Sequence, residues 1–510
     1  MGWDVASISR DQLVLFAERL DEVLPEDHLV RRMVEILDQL NWTAWEAEYK
    51  HASSGRPPIH PQIMSGIVLY GLMRGVRSSR RLEEALQMRL DFRWLAEGRS
   101  IDHSTICGFR QLHRDRLKEL FVQIVMVAKC AGVLSLVELA VDGTKIRSSN
   151  HRSKKYKVEE LQNLKQQLEL RFDQLNAEAA ALDSQEATKK EKLEKRSRSL
   201  SRRLNEIGRA IKAVEQLKEE DKPVPTRIPT TDVQSRVTKC KEGSFAPNYT
   251  PVTVVDPVSG MVAGTQVIAD CNEKTVLPGV LDEIEETLGE KPQRVLADAI
   301  FNHSSNLIQM NERDIELYTP IQDPLNNPAD REDLTKPVAE DQRDQLPRDK
   351  KGQLTNLAFT YDAQRNSYFC PQGKELPFNS SYNQKQAGGT TIKRHRYHAS
   401  QEDCVGCPLF DQCVKGKSKF RRVSRDEAEE LREDLRQRMR TNQAKTTYDR
   451  RMQCELPFAA IKHLMGARQF LHRGLDKVQQ EWNWLVTAFN LRRLISLLGP
   501  RGPTATATTN

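Results

Sequence analysis

Aromatic residues are scarce in this chain, at 6% of 510 positions, and long apolar runs are missing. The longest, Phe121 to Leu134, is broken by Gln123 and Lys129. It is shorter than the ~20 apolar residues a membrane-spanning helix requires. Mean hydropathy is −0.63, with 38% apolar and 29% charged residues, so no membrane partner is expected. The first residues, MGWDVASISRDQ, lack a basic stretch followed by an apolar one, which argues against a secretion signal. Ala6 removes the usual myristoylation pattern. A cytoplasmic protein is expected. Disulfide staples are not needed either, because this length is ample for about three domains of ~150 residues, each with its own core.

What is present is charge and helical periodicity. Lys plus Arg number 78 and Asp plus Glu 71, a net +7 whose distribution matters more than its sum. Residues 1–50 place Leu13, Phe16, Leu20, Leu29, Met33, Ile36, Leu37 and Leu40 at helical spacing. After a linker at 51–61 the helical pattern resumes to about Leu134. An Arg-rich turn contains Arg74, Arg80 and Arg81, and a second basic run contains Arg110, His113, Arg114 and Arg116. DHSTICGFRQLHRDRL reads as a helix starting at a Ser104/Thr105 cap with basic side chains behind it. An ordinary solvated face would look the same.

The period then changes. VELAVDGTKI (137–146) reads as a buried strand ending at Asp142-Gly143, and 248–257 and 261–269 as two more strands. A helix stopped by Gly289, a strand at 294–299 ending in Asp298, a further helix and a strand at 315–321 complete a mixed α/β layer. Two insertions interrupt it. Residues 152–222 carry Leu161, Leu164, Leu168, Phe172 and Leu175, then Leu200, Leu204, Ile207 and Ile211, in steps of three and four. An antiparallel hairpin of coiled-coil character follows from that spacing. Residues 322–445 read as irregular, and 446–499 as helical before a disordered tail at 500–510.

In YDRRMQCELPFAAIK, the residues Tyr448, Arg451, Glu455 and Lys462 fall within roughly 40° of one line along an ideal helix. Pro457 is awkward there, so the helix either bends or begins afresh. Asp142 and Asp298 end apolar strands, where open α/β sheets bind ligands. Three acids in this order suit two Mg²⁺ (or Mn²⁺) ions, which take oxygen ligands. Cysteines number nine. Four of them, Cys370, Cys404, Cys407 and Cys413, have the spacing of a tetrahedral structural Zn²⁺ site, with His395 and His398 as substitutes. Cys107, Cys130, Cys240, Cys271 and Cys454 read as lone cysteines. The insertion around the knuckle has few large apolar residues, and the bound metal is the expected source of its order.

On VDGTKI, VLADA and Tyr-x2-Arg-x3-Glu-x6-Lys, with FLHRGLDKVQQEWNWLVTAFNLRRL and IHPQIMSGIVLYGLMRG beside them, the chain resembles bacterial insertion-sequence transposases of the DDE type, specifically insertion-sequence family 1182. The resemblance implies a ribonuclease-H-like catalytic domain at 136–321 plus 446–499 and an all-α DNA-binding domain at 1–135. A zinc insertion at 322–445 is implied with them. It also implies that Asp142, Asp298 and Glu455 hold the ions and that Tyr448, Arg451 and Lys462 orient a DNA end. Double-stranded DNA, as transposon end and target, is the implied partner, bound by a homodimer or higher homo-oligomer. Relatives follow the second acid with a small residue, Gly and Tyr, whereas Asp298 precedes Ala299, Ile300 and Phe301. If that Gly needs positive φ, Ile300 strains the turn.

Overall fold

A computed structural model of the chain describes residues 19–22, 24–49, 57–151, 154–182, 187–240, 243–269, 273–322, 327–385 and 391–499. The expectations for Leu13, Phe16, most of the 51–61 linker, Cys271 and the tail fall outside these residues. Among the described residues seven α-helices come first: α1 (Leu29–Leu37), α2 (Thr43–Ala47), α3 (Pro61–Met73), α4 (Ser79–Met88), α5 (Leu90–Leu95), α6 (His103–Leu112) and α7 (Leu117–Cys130). Their apolar residues recur every three or four positions, as in α1, which buries Val30, Met33, Ile36 and Leu37. Helix α3 is buried almost all round and starts on Pro61, where a missing N–H costs nothing. The cap of α6 is Asp102 rather than Ser104 or Thr105, since its carboxylate accepts the Thr105 N–H at 2.9 Å.

The chain then enters a seven-stranded mixed sheet of β1 (Glu138–Gly143), β2 (Ile146–Arg147), β5 (Arg236–Lys239), β6 (Phe245–Val255), β7 (Val262–Ile268), β8 (Arg294–Ala297) and β9 (Glu316–Tyr318). Its centre runs β7-β6-β1-β8-β9, antiparallel between β7, β6 and β1 and parallel between β1, β8 and β9. This is the mixed sheet that the strand pattern implied, and it is compatible with a ribonuclease-H-like domain. Helix α10 (Leu277–Leu288) follows β7 and stops at Gly289, whose φ of 74° is the left-handed cap only glycine adopts freely. Helix α11 (Ser304–Glu312) joins β8 to β9.

Between β2 and β5, a small ladder of β3 (Lys155–Lys157) and β4 (Arg227–Pro229) anchors helices α8 (Leu161–Ala180) and α9 (Ala187–Glu219). These lie antiparallel, with Ser197 donating to Asn176 at 2.6 Å and Leu161 packed with Ile207, Ala210 and Val214. The region expected to be irregular, 322–445, is not. It builds a second sheet of β10 (Thr360–Asp362), β11 (Ser367–Phe369), β12 (Glu375–Lys385), β13 (Thr391–His398) and β14 (Arg422–Asp426). Short helices α12 (Gln401–Cys404) and α13 (Phe410–Cys413) and the longer α14 (Glu429–Arg440) complete it. Leu346, Leu354, Phe359, Tyr368, Leu376, Tyr397 and Val423 form a core of its own. Apolar residues scattered along the sequence converge there through strand pairing, so the order does not need to come from a metal.

The C-terminal stretch is α15 (Asn442–Asp449), a 3-10 segment at Arg450–Cys454, α16 (Glu455–Ala459), a π segment at Ala460–Leu464 and α17 (Leu475–Leu498). Helix α17 lies against α3 and α7 on one side and β7 on the other, so the N-terminal helices and the sheet share one core. It also satisfies the free edge of β7. Asn490, fully buried, accepts the Val262 N–H at 2.9 Å and donates to the Val262 carbonyl at 2.7 Å, and Gln479 accepts the Val267 N–H at 2.6 Å. Asn490→Leu is therefore expected to destabilise the fold by about 2 kcal/mol or more in urea unfolding, because two buried backbone groups lose their partners. Among the described residues no helix is long and apolar enough to cross a membrane.

Candidate active site

Register brings the first two acids together. In the parallel β1–β8 pair, Val141 stands opposite Ala297, so Asp142 and Asp298 leave neighbouring strands side by side at their carboxyl ends. Asp142 Oδ1 accepts the Gly143 N–H at 2.9 Å, and Asp298 Oδ1 accepts the Ala299 N–H at 2.5 Å. Burial raises the Asp142 pKa, the nearby Asp298 and Glu455 charges add to that, and the Arg451 charge opposes it. Ala299–Phe301 form a 3-10 turn with Phe301 fully buried. Among the described residues the non-glycine positions with positive φ are Glu97, Asp221, Asp314 and Asn366. Ile300 therefore needs no left-handed backbone, and the strain expected after Asp298 is absent.

The Tyr-Arg-Glu-Lys segment is not one straight α-helix. The chain tightens to 3-10 geometry at Arg450–Cys454, restarts as α16 at Glu455 and loosens to a π segment that carries Lys462. Pro457 explains the restart, since it sits in the first turn of α16, where its lack of an N–H is harmless. The four side chains still serve one end of the sheet. Arg451 Nη1 lies 3.5 Å from Asp142 Oδ2, while its Nε donates to the Tyr448 hydroxyl at 3.1 Å. The Arg451 guanidinium also stands 5.8 Å from the centre of the Tyr448 ring. Burial raises the Tyr448 pKa against the lowering effect of Arg451. Lys462 donates to the Thr144 hydroxyl, two residues beyond Asp142. Glu455 is exposed and close enough to Asp142 to contribute to its raised pKa.

Glu273 is an acid that the sequence reading missed. It follows β7, is 9% exposed, and packs on Gly143 so closely that a Cβ there would collide with its carboxylate. Its pKa is pushed up to about 7, first by burial, then by the Asp142 charge; Lys145 opposes this, and Asp298 adds a further rise. Its signal was an acid between a strand and a helix, in a sheet whose other strand ends already held two. Among the described residues no group of three or more His, Cys, Asp or Glu is assembled as it would be around a metal ion. Oxygen donors of this kind are what hard cations take, and Asp142 and Glu273 have pKa values raised by burial and by neighbouring carboxylates, a repulsion that a bound divalent ion would relieve.

The cysteine group has a different setting. Cys404 and Cys413 are buried in the small second core, and Cys370 and Cys407 pack against it. The Lys374 N–H lies 3.3 Å from the Cys370 sulfur, and the Cys407 N–H donates to the Cys404 carbonyl at 3.3 Å. Burial raises the Cys370 and Cys404 thiols, and it pushes Cys413 up to about 12. The four are gathered, but no metal cage is formed among them. Of the N-terminal cations, Arg110 and Arg114 line one cavity together with Arg77 and Lys477, while Arg74, Arg80 and Arg81 are exposed elsewhere.

Two comparisons bear on this geometry. Residues 369–495 match the family described as Transposase DDE domain, and residues 18–112 match the Transposase domain (DUF772). The first match contains Tyr448, Arg451, Glu455 and Lys462, while Asp142, Asp298 and Glu273 lie between the two matches. No curated protein and no solved structure matches the chain. Transposase-domain matches on either side of the strands that carry the two aligned acids indicate an insertion-sequence DDE transposase.

Proposed function

We propose that this chain binds the terminal inverted repeats of its own insertion sequence, cleaves the DNA there and joins the freed 3′-hydroxyl to target DNA. The observation that carries the reading is the register of Asp142 and Asp298 on adjacent parallel strands, with Glu455 and the cations Arg451 and Lys462 converging on the same edge. Asp142, Asp298 and Glu455 are the residues that would hold Mg²⁺ or Mn²⁺. When bound, two such ions stabilise the attacking and leaving oxygens of an in-line phosphoryl displacement. Water attacks the phosphodiester at the element's end and releases a 3′-hydroxyl; that hydroxyl then attacks a target phosphodiester and displaces the target's own 3′-oxygen. Arg451, clamped by Tyr448, and Lys462 hold the phosphates and fix the strand direction.

The proposed partners are double-stranded DNA ends and target, bound by a homo-oligomer with the helices of 1–135 contributing phosphate contacts. The particular insertion-sequence family rests on the motif resemblance alone. A second reading, a DNA-binding protein that keeps this fold without strand transfer, would draw support from a strained turn after Asp298; Ile300 there has no left-handed backbone. The test is labelled end DNA incubated with the protein and Mg²⁺: nicked ends and joined products are expected, and nicked ends without joined product would leave a nuclease instead.

For the cysteines we propose one structural Zn²⁺ per chain, supported by their spacing and by four soft donors gathered in one small core. Elemental analysis of protein purified without added metal is expected to give about one zinc per chain. Protein without zinc that melts at the same temperature in the presence of a chelator would leave the thiols as core residues only.

A further inference from the structure

A cavity of about 580 Å³ opens between the N-terminal helices and the segment leading into α17. Its cations are unevenly matched. Arg77 pairs with Glu481 at 2.5 Å, so those two charges offset each other. Arg110 keeps a buried Nε with no hydrogen-bond partner, and its Nη1 donates to the Arg77 carbonyl at 3.4 Å. Arg114 and Lys477 stand exposed on the wall, and Lys477 forms no ion pair among the described residues. Ser78 and Ser79 contribute the start of α4, whose Ser78 cap makes no side-chain hydrogen bond, adding the positive end of a ten-residue helix. Trp484, Leu72 and Leu471 supply apolar lining.

The position of the cavity indicates which anion it takes. Arg77 donates to the Gly466 and Gln469 carbonyls at 2.9 and 2.8 Å, and those residues follow Lys462 by a few positions. The Arg147 N–H donates to the Arg468 carbonyl and the Phe470 N–H to the Arg147 carbonyl, fastening the same loop to the strand just beyond Asp142. The cavity wall is thus tied directly to the segment that carries the catalytic acids. Lys477 without an ion pair among the described residues, Arg114 paired only with its exposed chain neighbour Asp115 outside the lining, a buried Arg110 nitrogen without an acceptor, and apolar lining suit a phosphodiester with its sugar better than a free inorganic anion.

Resting on the transposition reading, we propose that this cavity is a backbone subsite: a phosphodiester of the bound DNA docks against Arg110, Arg114 and Lys477 and fixes how far the strand extends to the acids.

Cys107 and Cys130 give the test, since both are exposed free thiols and only Cys107 lines the cavity. The full chain is alkylated with and without a labelled DNA duplex, and each cysteine is followed by mass spectrometry. At a duplex concentration about ten times Kd, Cys107 alkylation is expected to slow about tenfold while Cys130 is unaffected. In fluorescence anisotropy, Lys477→Gln and Arg114→Gln are each expected to lower the slope of log Kd against log salt by about 0.9, with Lys477→Arg keeping the parent slope. Duplex binding with Cys107 unprotected and slopes unchanged overturns the subsite and leaves the transposition reading standing. A parent chain that binds no duplex overturns both.

Discussion

Asp142→Asn, Asp298→Asn and Glu455→Gln are each expected to lower end cleavage by about 10³-fold or more, because losing one charged ligand forfeits several kcal/mol of transition-state stabilisation. The fold should survive each change. Asn at 142 still accepts the Gly143 N–H, and Asn at 298 still caps the 3-10 turn through the Ala299 N–H. Glu455 is exposed, so its amide leaves no buried group unpaired. The measurement is cleavage of labelled end DNA at saturating Mg²⁺, with melting temperature and duplex affinity as controls. A variant cleaving at the parent rate would remove that residue from the site. Parallel loss of melting temperature and cleavage would make the residue structural.

The second large effect concerns the joint between the N-terminal helices and the C-terminal segment. Arg77 and Glu481 side chains are 12% and 9% exposed, and Glu481 also accepts the Leu471 and His472 N–H groups. Removing one partner of a buried pair leaves the other charge stranded, so Arg77→Ala is expected to destabilise the protein by about 3 kcal/mol in urea unfolding. Burial pushes Glu481 up, but the His472 hydrogen bond and the Arg77 charge outweigh it and hold Glu481 below its ordinary 4.5. An acid with a lowered folded pKa binds fewer protons in the folded state. Its contribution is present above pH 4.5 and fades as pH falls through the lowered value. Acidification below pH 4.5 should therefore destabilise the parent more steeply than Arg77→Ala. Parallel acid profiles for the two proteins would show that the pair does not contribute to the acid limb.

Local pattern was enough to read the strands that end in Asp142 and Asp298, the α8–α9 hairpin, the Gly289 stop and the Tyr448–Lys462 segment. Each is written in contiguous residues: alternating or continuous apolar runs, steps of three and four, a glycine where only a left-handed cap fits. What needed the folded chain were the features made by distant residues. The second sheet at 360–426 assembles short strands of weak apolar pattern whose core forms only once they pair, so its sequence looked irregular. Glu273 sits at the acids because β7 ends at the edge where β1 also ends, and Gly143 leaves room for its carboxylate. In the sequence Pro457 announces a break, but the 3-10 turn before Glu455, packed against β1 and β8, and the π segment after it are set by the folded chain. Arg110 and Lys477 are 367 positions apart and meet in one cavity only because α17 inserts between the N-terminal helices and β7. Sequence fixes what a short segment prefers through backbone sterics and periodicity, and burial decides which distant segments share a surface, because apolar faces are interchangeable until they are packed.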